Sequence, residues 1–385
     1  MSAAASRGRP GFARHADALD ALGARGRRRV LMPRLGQDFS SNDYLGLAGS
    51  DLLRAAARAA LDRGVATGSG GSRLLRGNDA EHEALEAEAA AFFDAPAALY
   101  MGAGFPGNVA IFSSLPMQGD LVLHDALVHA SAHDGMRLGR AETLSFAHND
   151  ADAARDALRG WRAGGGMGRV WIACESLYSM EGDLAPLEDL AAIAVEDGAV
   201  LVVDEAHATG LYGDRGQGRA HGLDPSVDIV TLHTCGKALG GAGGLVCADP
   251  VLIDTLVNRA RNFVFSTAPS PLDAAIMRAA LRLMAERPDL RDAAWDNIRH
   301  SHDVARRAGF GQFDTQILPV IIGEDAEALV LATALQARGH DVRAIRPPTV
   351  PRGTARLRIS ITPNVASGEI DALFADLSNL RKAAA

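Results

Sequence analysis

The sequence predicts an α/β protein in which a large domain with a mostly parallel central sheet precedes a smaller C-terminal α/β domain. Short apolar runs alternate with helix-length segments between about residues 50 and 270, a pattern typical of a sheet covered by helices on both faces. Further apolar runs follow residues 269–271 and predict the second domain. The 385 residues are 48% hydrophobic and 22% charged, which excludes a disordered or collagen-like chain.

The predicted elements follow one another in a simple order. An amphipathic helix from Phe12 to about Gly26 comes first, because its alanines and leucines recur at helical spacing. The strands of the large sheet are predicted at Ala97 to Met101, Leu121 to His124, Val170 to Glu175, Val200 to Asp204, Ile229 to Leu232 and Gly244 to Cys247. Those of the second domain are predicted at Ile317 to Ile322, Val342 to Ile345 and Arg356 to Ile361. We therefore divide the chain into an N-terminal helix and segment, 1–48, a large domain, 49–270, and a small C-terminal domain, 271–385.

Charge and cysteine content narrow the function classes. The net charge is −8, with 39 basic against 47 acidic residues, and no basic block extends beyond Arg27 to Arg29, which argues against nucleic-acid binding. The three cysteines, Cys174, Cys235 and Cys247, form no CxxC pair and fit a reducing compartment. The N-terminal residues contain no apolar core of a signal peptide, and no apolar run approaches the ~18 residues of a membrane span. We expect a cytoplasmic protein.

Lysine is almost absent, which makes one lysine conspicuous. Of the 39 basic residues only Lys237 and Lys382 are lysines, and Lys382 lies near the C-terminus. An arginine stays protonated, whereas a lysine amine can lose its proton and attack a carbonyl group. Lys237 is therefore a candidate nucleophile.

Polar residues that follow the predicted strands point to one cofactor. Ligands of open α/β sheets bind beyond the carboxyl ends of the strands, where Asp204, His207, Thr234 and Lys237 lie. Pyridoxal phosphate needs a primary amine for its aldehyde and a carboxylate that keeps its pyridine nitrogen protonated. Asp204 and Lys237 supply these two groups, His207 or Ser179 can hydrogen-bond the phenolic oxygen, and Thr234 can bind the phosphate.

One glycine motif favours a different cofactor and is kept as an alternative. Residues 102–107 form a GxGxxG after a predicted strand, with Asp125 at a distance typical of nicotinamide dinucleotide sites. Phe105 and Pro106 lie inside the motif, however, and a phosphate bound at a helix start explains the same glycines.

The DEAH sequence of residues 204–207 is typical of nucleoside triphosphatases, but the required GxxxxGK[ST] loop is missing upstream.

A metal site made of Asp204, His207 and His233 stays open, although we expect these groups to be hydrogen-bonded partners and predict no metal. The histidines at positions 124, 133, 148, 221 and 233 are expected to be hydrogen-bonded loop or surface residues.

The ordered motifs resemble those of the α-oxoamine synthases, a family of fold type I pyridoxal-phosphate transferases, over nearly the whole chain. The matching segments are Phe39 to Leu47, Gly68 to Ser72, Gly104-Phe105, Val128 to Ser131, Phe146 to Asp150, Ser179 to Asp183, Asp204 to Gly210, Thr234 to Lys237 and Ile345 to Ile359. The resemblance implies that residues 49–270 form the cofactor-binding domain.

The resemblance also implies roles for individual residues. Lys237 would bind the cofactor covalently and act as the base, Asp204 would face the pyridine nitrogen, and His129 would stack on the ring and assist catalysis. Contacts to the phenolic oxygen would come from Ser179 and His207, and contacts to the phosphate from Gly104, Phe105 and Thr234, with Ser266 and Thr267 of a second subunit. The substrate contacts implied are Arg27 or Arg28, Asn42, His129, Thr349 and Arg358, with Arg358 as the carboxylate clamp.

Residues 345–359 look most like the members that join L-alanine to a pimeloyl thioester, with loss of carbon dioxide, in biotin synthesis. The thioester would be one of coenzyme A or of acyl carrier protein, and the resemblance implies a homodimer with shared active sites. Three alternatives stay open: a related α-oxoamine synthase that uses glycine (5-aminolevulinate synthase or 2-amino-3-ketobutyrate CoA ligase), a nicotinamide-dependent oxidoreductase and a catalytically silent subunit.

Overall fold

The computed structural model describes residues 10–384, so residues 1–9 of the predicted N-terminal segment and residue 385 lie outside it. The strands are β1 (Gln37–Asp38), β2 (Ala97–Met101), β3 (Leu121–Asp125), β4 (Glu142–Phe146), β5 (Val170–Glu175), β6 (Val200–Asp204), β7 (Asp228–Thr234), β8 (Gly244–Ala248), β9 (Ile317–Gly323), β10 (His340–Asp341), β11 (Arg343–Ile345) and β12 (Ala355–Ser360). The helices are α1 (Ala13–Ala24), α2 (Asp51–Asp62), α3 (Ala80–Phe92), α4 (Gly104–Ser114), α5 (Ala130–Leu138), α6 (Ala151–Ala163), α7 (Leu187–Asp197), α8 (Pro250–Arg259), α9 (Arg261–Val264), α10 (Pro271–Glu286), α11 (Pro288–Arg307), α12 (Asp325–Ala337) and α13 (Ser367–Ala384).

The central sheet has seven strands in the order β2-β8-β7-β6-β5-β3-β4. Strand β8 is antiparallel to both of its neighbours, β2 and β7, and the other pairs are parallel. Every residue of β5 is buried, as is typical of a parallel strand with helices on both faces. The predicted mostly parallel sheet is therefore confirmed.

Separate apolar clusters cover the two faces of this sheet. On one face, Ile111 of α4 and Leu256 of α8 pack with Val202 and other strand residues. On the other face, Leu190 of α7 packs with Ile172 and its neighbours. Burial of each such side chain contributes about 1.5–3 kcal/mol to folding, so the apolar strand runs stabilise the helices that cover them.

The carboxyl ends of β5, β6 and β7 lie side by side at one edge of the sheet. Glu175, the last residue of β5, is the register partner of Asp204, the last residue of β6. Asp204 in turn is opposite Leu232 of β7, two residues before that strand ends. This edge therefore brings together the polar residues that the sequence places after three separate strands.

A smaller sheet of order β11-β12-β9 lies in the C-terminal part of the chain and is antiparallel. Strand β1 pairs in parallel with β10, and the Phe39 carbonyl accepts a hydrogen bond from the backbone N–H of Ser360 at 2.9 Å. These contacts hold the segment after β1 against β12. As a result, Asn42 and Tyr44 come close to Arg358 of β12.

The predicted strands of both sheets are present, with ends that differ by no more than two residues. Sequence reasoning missed β4, because this edge strand is polar and mostly exposed, and it missed the two-residue pair β1 and β10. Helix α10, which begins at the predicted domain boundary, packs against α2 and α3, and the three-part division stays a prediction. Within residues 10–384, no helix is both long and apolar enough to cross a bilayer.

Candidate active site

A buried lysine lies at the centre of the candidate site. The Nζ of Lys237 is 2.8 Å from Nε2 of His207. Burial lowers the pKa of Lys237 to about 8, although the nearby carboxylates of Asp204 and Glu175 oppose that shift. Burial also lowers the pKa of His207, and the charges of Lys237 and Arg358 act in the same direction. The geometry therefore presents an amine that is easily deprotonated beside a neutral imidazole.

A chain of hydrogen bonds runs from this lysine to the second arginine of β12. The Nδ1 of His207 is 2.5 Å from the hydroxyl of Tyr44, and that hydroxyl donates to Oδ1 of Asn42 at 3.0 Å. Nη2 of Arg358 donates to the same Oδ1 at 3.0 Å. Because the Tyr44 proton points to Asn42, the consistent tautomer has His207 donating from Nδ1 and accepting from Lys237 at Nε2.

Arg358 is buried and donates hydrogen bonds to several segments of the chain. Its Nε donates to the Ser179 carbonyl at 2.6 Å, and its Nη1 donates to the Ser360 hydroxyl at 2.7 Å. With the bond to Asn42, three of the five guanidinium N–H groups have partners within residues 10–384. A further hydrogen bond joins the guanidinium to the Tyr44 side chain, and a guanidinium is the group that binds carboxylates in a bidentate manner.

Asp204 is oriented by two donors. Its Oδ2 accepts from Nδ2 of Asn108 at 2.7 Å, and its Oδ1 accepts from the backbone N–H of Ala206 at 2.9 Å. Asn108 also donates to the Ser131 hydroxyl at 2.9 Å. That hydroxyl lies 2.7 Å from Nδ1 of His129. The hydrogen bonds from Asn108 and Ala206 thus hold the Asp204 carboxylate in one orientation.

His129 begins helix α5 and is a neutral acceptor at one nitrogen. Its Nδ1 accepts from the backbone N–H of Ser131 at 3.2 Å, as an N-cap does. Burial lowers the pKa of His129, which Asp204 opposes and Lys237 reinforces. The neutral ring therefore carries its proton on Nε2 and lies with Asp204, Asn108 and Glu175 around one small cavity.

Residues predicted to bind a phosphate meet at the start of α4. A Cβ on Gly104 would lie 3.1 Å from the Thr234 hydroxyl, so the glycine allows β7 and α4 to approach closely. Ala103 precedes the helix and supplies no side-chain cap, and the first N–H groups of a helix have no partner inside it. The backbone N–H groups at the start of α4 and the Thr234 hydroxyl thus lie close together, an arrangement that can bind an anion.

The remaining predicted residues lie farther from this cluster. Ser266 and Thr267 are exposed and, with Phe105, line an open cavity of about 370 Å³. The predicted contact of these two residues with a phosphate in a second subunit is not tested by one chain. Ser179 takes part through its main chain, since its carbonyl accepts from Arg358, and the predicted contact of its side chain stays a prediction.

The N-terminal arginines line a different, larger cavity of about 1070 Å³ beside β11. Arg27 forms a salt bridge with Asp325 at 3.0 Å, whereas Arg29 donates to the Thr349 hydroxyl at 3.3 Å. Arg28 lies 3.9 Å from Asp20. Arg29, which sequence reasoning did not select, is therefore the N-terminal arginine that contacts the predicted substrate residue Thr349.

Four residues of the site were missed or given no role by the sequence: Tyr44, Asn108, Ser131 and Glu175. Asn108 is a buried polar residue among the apolar residues of the first two turns of helix α4, and that contrast is the one local feature that could have identified it. His233, considered as a metal ligand, stacks on Phe93 at 3.6 Å and hydrogen-bonds two threonines. In the described part of the chain, no group of three His, Cys, Asp or Glu side chains is placed to hold a metal ion.

These donors fit pyridoxal phosphate. Lys237 supplies a primary amine, Asp204 a carboxylate with two fixed hydrogen bonds, and the start of α4 a glycine-lined anion cradle that an alanine Cβ would crowd. This set matches the cofactor's aldehyde, pyridine nitrogen and phosphate in turn.

Comparisons with known proteins agree with this chemistry. Residues 37–377 match the family described as aminotransferase class I and II. A curated relative from Anaeromyxobacter dehalogenans, 8-amino-7-oxononanoate synthase, is 40% identical, and the match covers 94% of this chain and 93% of that protein. The protein of the same name from Methylococcus capsulatus is 42% identical, with coverage of 89% and 88%.

Solved structures show the same architecture. The serine palmitoyltransferase of Sphingomonas wittichii superposes with a TM-score of 0.87 at 27% identity, covering 97% of this chain and 98% of that one. The 8-amino-7-oxononanoate synthase of Francisella tularensis gives a TM-score of 0.77 at 26% identity, with coverage of 90% and 98%. The predicted fold type I transferase architecture and the pyridoxal-phosphate cofactor are thereby confirmed.

Proposed function

The chain belongs to the aminotransferase class I and II family, and we propose that it catalyses the 8-amino-7-oxononanoate synthase reaction of biotin synthesis. In that reaction, L-alanine condenses with a pimeloyl thioester and carbon dioxide is lost. The observation that carries the proposal is the buried Lys237 amine, which lies beside His207 and is connected through hydrogen bonds to the Arg358 carboxylate clamp.

Pyridoxal phosphate, when bound, supplies an aldehyde that reacts with amines and a ring that accepts the electrons left when a Cα–H bond breaks. Asp204 would face the pyridine nitrogen and favour its protonated form, because a fixed carboxylate stabilises the charged ring. Asn108 and the Ala206 N–H keep the Asp204 oxygens in place.

Lys237 moves the α-proton of the amino acid. Burial lowers the pKa of its amine to about 8, which is close to the value that suits a general base at neutral pH. His207 accepts a hydrogen bond from the amine at 2.8 Å and so holds Nζ in place. The amine is thereby both deprotonated with ease and held in position.

Arg358 binds the carboxylate of the amino acid through its guanidinium, whose planar N–H groups match a carboxylate. Its connection through Asn42 and Tyr44 to His207 holds the guanidinium at a set position relative to Lys237, which supports this role. His129, which carries its proton on Nε2, can donate to the carbonyl oxygen of the thioester or of the β-keto acid that follows. The condensation needs such a donor because negative charge develops on that oxygen.

The finer assignments rest on residues at the periphery. Thr349 and an N-terminal arginine, Arg27 or Arg28 in the sequence prediction and Arg29 by contact with Thr349, line the proposed route for the acyl donor. Asn42, predicted together with them, lies instead beside Arg358. Ser266 and Thr267 complete the phosphate site of a second copy in a homodimer. The acyl carrier is coenzyme A or acyl carrier protein, and the cytoplasm is the expected location.

The decisive experiment is spectroscopic and uses the purified protein with pyridoxal phosphate. We expect a visible absorbance band that borohydride bleaches. Peptide mapping should then find the reduced cofactor attached to Lys237. L-alanine, but not glycine, should shift the band. Carbon dioxide release from alanine should then require pimeloyl-CoA or the pimeloyl carrier protein. A glycine-dependent shift and turnover would instead indicate a glycine-using member, and the absence of any band would overturn the proposal.

A further inference from the structure

His148 lies between two carboxylates, outside the residues that the proposed mechanism uses. Its Nδ1 is 2.9 Å from Oδ1 and 3.1 Å from Oδ2 of Asp125, and its Nε2 is 2.9 Å from Oδ2 of Asp183. An ionised carboxylate only accepts hydrogen bonds, so both ring nitrogens have to donate. The ring is then an imidazolium, which is the one form of histidine with two N–H donors.

The surroundings of the ring support the charged form. Burial alone lowers the pKa of His148, but its hydrogen bonds with Asp125 and Asp183 outweigh burial and raise it to about 10. Tyr178 presents its ring to His148 at 4.4 Å, and burial raises the pKa of this tyrosine, so it stays neutral. Burial also keeps the thiol of Cys174, which neighbours Asp125, protonated.

The two carboxylates belong to the two loops that enter the active site. Asp125 ends β3, and its Oδ1 accepts from the backbone N–H of Leu127 at 2.7 Å, two residues before His129. Asp183 ends the loop that follows β5 and contains Ser179. His148 itself comes after the edge strand β4, so a third segment of the chain joins the two loops.

The loop of residues 176–183 leads directly to the carboxylate clamp. Its Ser179 carbonyl accepts from Nε of Arg358 at 2.6 Å, and its Met180 carbonyl accepts from Nη1 of Arg356 at 2.9 Å. Asp183 anchors the opposite end of this loop through His148 and through the neighbouring Asn149, whose Nδ2 donates to the same Oδ2 at 3.1 Å. A displacement of Asp183 would therefore move the oxygen that orients Arg358.

We propose that His148 is a positioning residue, an imidazolium that ties the loop of His129 to the loop that orients Arg358. This inference rests on the proposed function, because it assigns the amino-acid carboxylate to Arg358. Loss of this link between the two loops weakens the binding of the amino acid and of the cofactor more than it lowers kcat. The reason is that His148 contacts neither the reacting atoms nor the cofactor.

The test compares His148→Gln and Asp183→Asn with His300→Gln in the cofactor-loaded protein. His300 is a matched control, because it pairs with Asp371 at 3.1 Å on the protein surface. In the two site variants, the Kd for L-alanine, read from the absorbance shift without acyl donor, should rise on the order of ten-fold, as expected from a small displacement of a positioning group. The KM for alanine should rise likewise, while kcat changes less, and the His300 variant should match the parent.

Nitrogen NMR of the histidine rings gives a readout independent of activity. The parent protein at pH 8 should show both ring nitrogens of His148 protonated, assigned by their disappearance in His148→Gln. A neutral His148 ring at pH 8, or parent-like alanine and cofactor affinities in both variants, would overturn the proposal. If His148→Gln does not fold, as judged by thermal unfolding, the half-exposed Asp183→Asn variant decides the outcome. Failure of the proposed function is distinct, because it appears in the parent as absent turnover with alanine and pimeloyl thioester.

Discussion

Asn108, in the first turns of α4, donates to Oδ2 of Asp204 at 2.7 Å across a separation of 96 residues. The same amide nitrogen donates to the Ser131 hydroxyl at 2.9 Å, so one side chain orients both the carboxylate and the residue beneath His129. The bond between Asn108 and Asp204 exists with and without the cofactor, so we expect Asn108→Ala to weaken cofactor binding by roughly 1 kcal/mol, less than the ~1.5–3 kcal/mol that a hydrogen bond to a charged group contributes to stability. Fluorescence or absorbance titration of the apoprotein with pyridoxal phosphate measures this loss.

Asn258→Ala is the control for this substitution. Asn258 is exposed on α8 and donates to the Asp254 carbonyl, so its loss should leave cofactor affinity unchanged. Equal affinities of the Asn108 and Asn258 variants would show that Asp204 needs no orienting partner.

The rate of covalent cofactor capture should depend on pH through Lys237. Burial lowers the pKa of this amine to about 8, and only the neutral amine attacks an aldehyde. Below pH 8 the capture rate should fall about tenfold per pH unit, and above pH 8 it should level off. Stopped-flow absorbance of apoprotein mixed with pyridoxal phosphate between pH 6.5 and 9.5 would test this, and a rate still rising steeply at pH 9.5 would contradict the lowered pKa.

Arg358→Lys should impair amino-acid binding although it keeps the charge. A lysine cannot keep the bonds to Ser179, Ser360 and Asn42 and also present two parallel N–H groups. We expect the KM for L-alanine to rise roughly thirty-fold, corresponding to about 2 kcal/mol. Arg299→Lys, on the surface of α11 beside Asp296, is the matched control, and equal KM values for the two variants would remove Arg358 from the clamp.

Gly104→Ala should weaken cofactor binding by crowding the anion cradle. The added Cβ would lie 3.1 Å from the Thr234 hydroxyl and 3.2 Å from its Cβ, a strain of about 1–3 kcal/mol. Gly102→Ala is the natural comparison, because a Cβ there meets nothing within 4 Å. Titration with pyridoxal phosphate should separate the two variants, and an unchanged Kd in Gly104→Ala would show that this turn does not approach the cofactor.

The sequence alone was sufficient to predict the sheet and to select Lys237 and Asp204 as the candidate catalytic residues. Long apolar runs such as Val170–Glu175 can be buried only inside a sheet with two covered faces, so their order predicts the architecture. Lys237 and Asp204 stand out because few residue types can do their chemistry. In addition, the sequence contains one other lysine, Lys382. The chemistry of a side chain and the spacing of apolar residues are properties of a short stretch of sequence, so the sequence alone reveals them.

Only the tertiary structure decided which distant residues meet. The contact of Arg29 with Thr349, the relay through Tyr44 to Arg358, and the bridge from His148 to Asp183 each join segments separated by the crossovers of the sheet or by the return of the chain at β1. Spacing along the chain carries no information on these distances, because they depend on how helices pack between strands. The polar edge strand β4 was missed for the same reason, since hydrogen bonds to β3 rather than its own apolar content make it a strand.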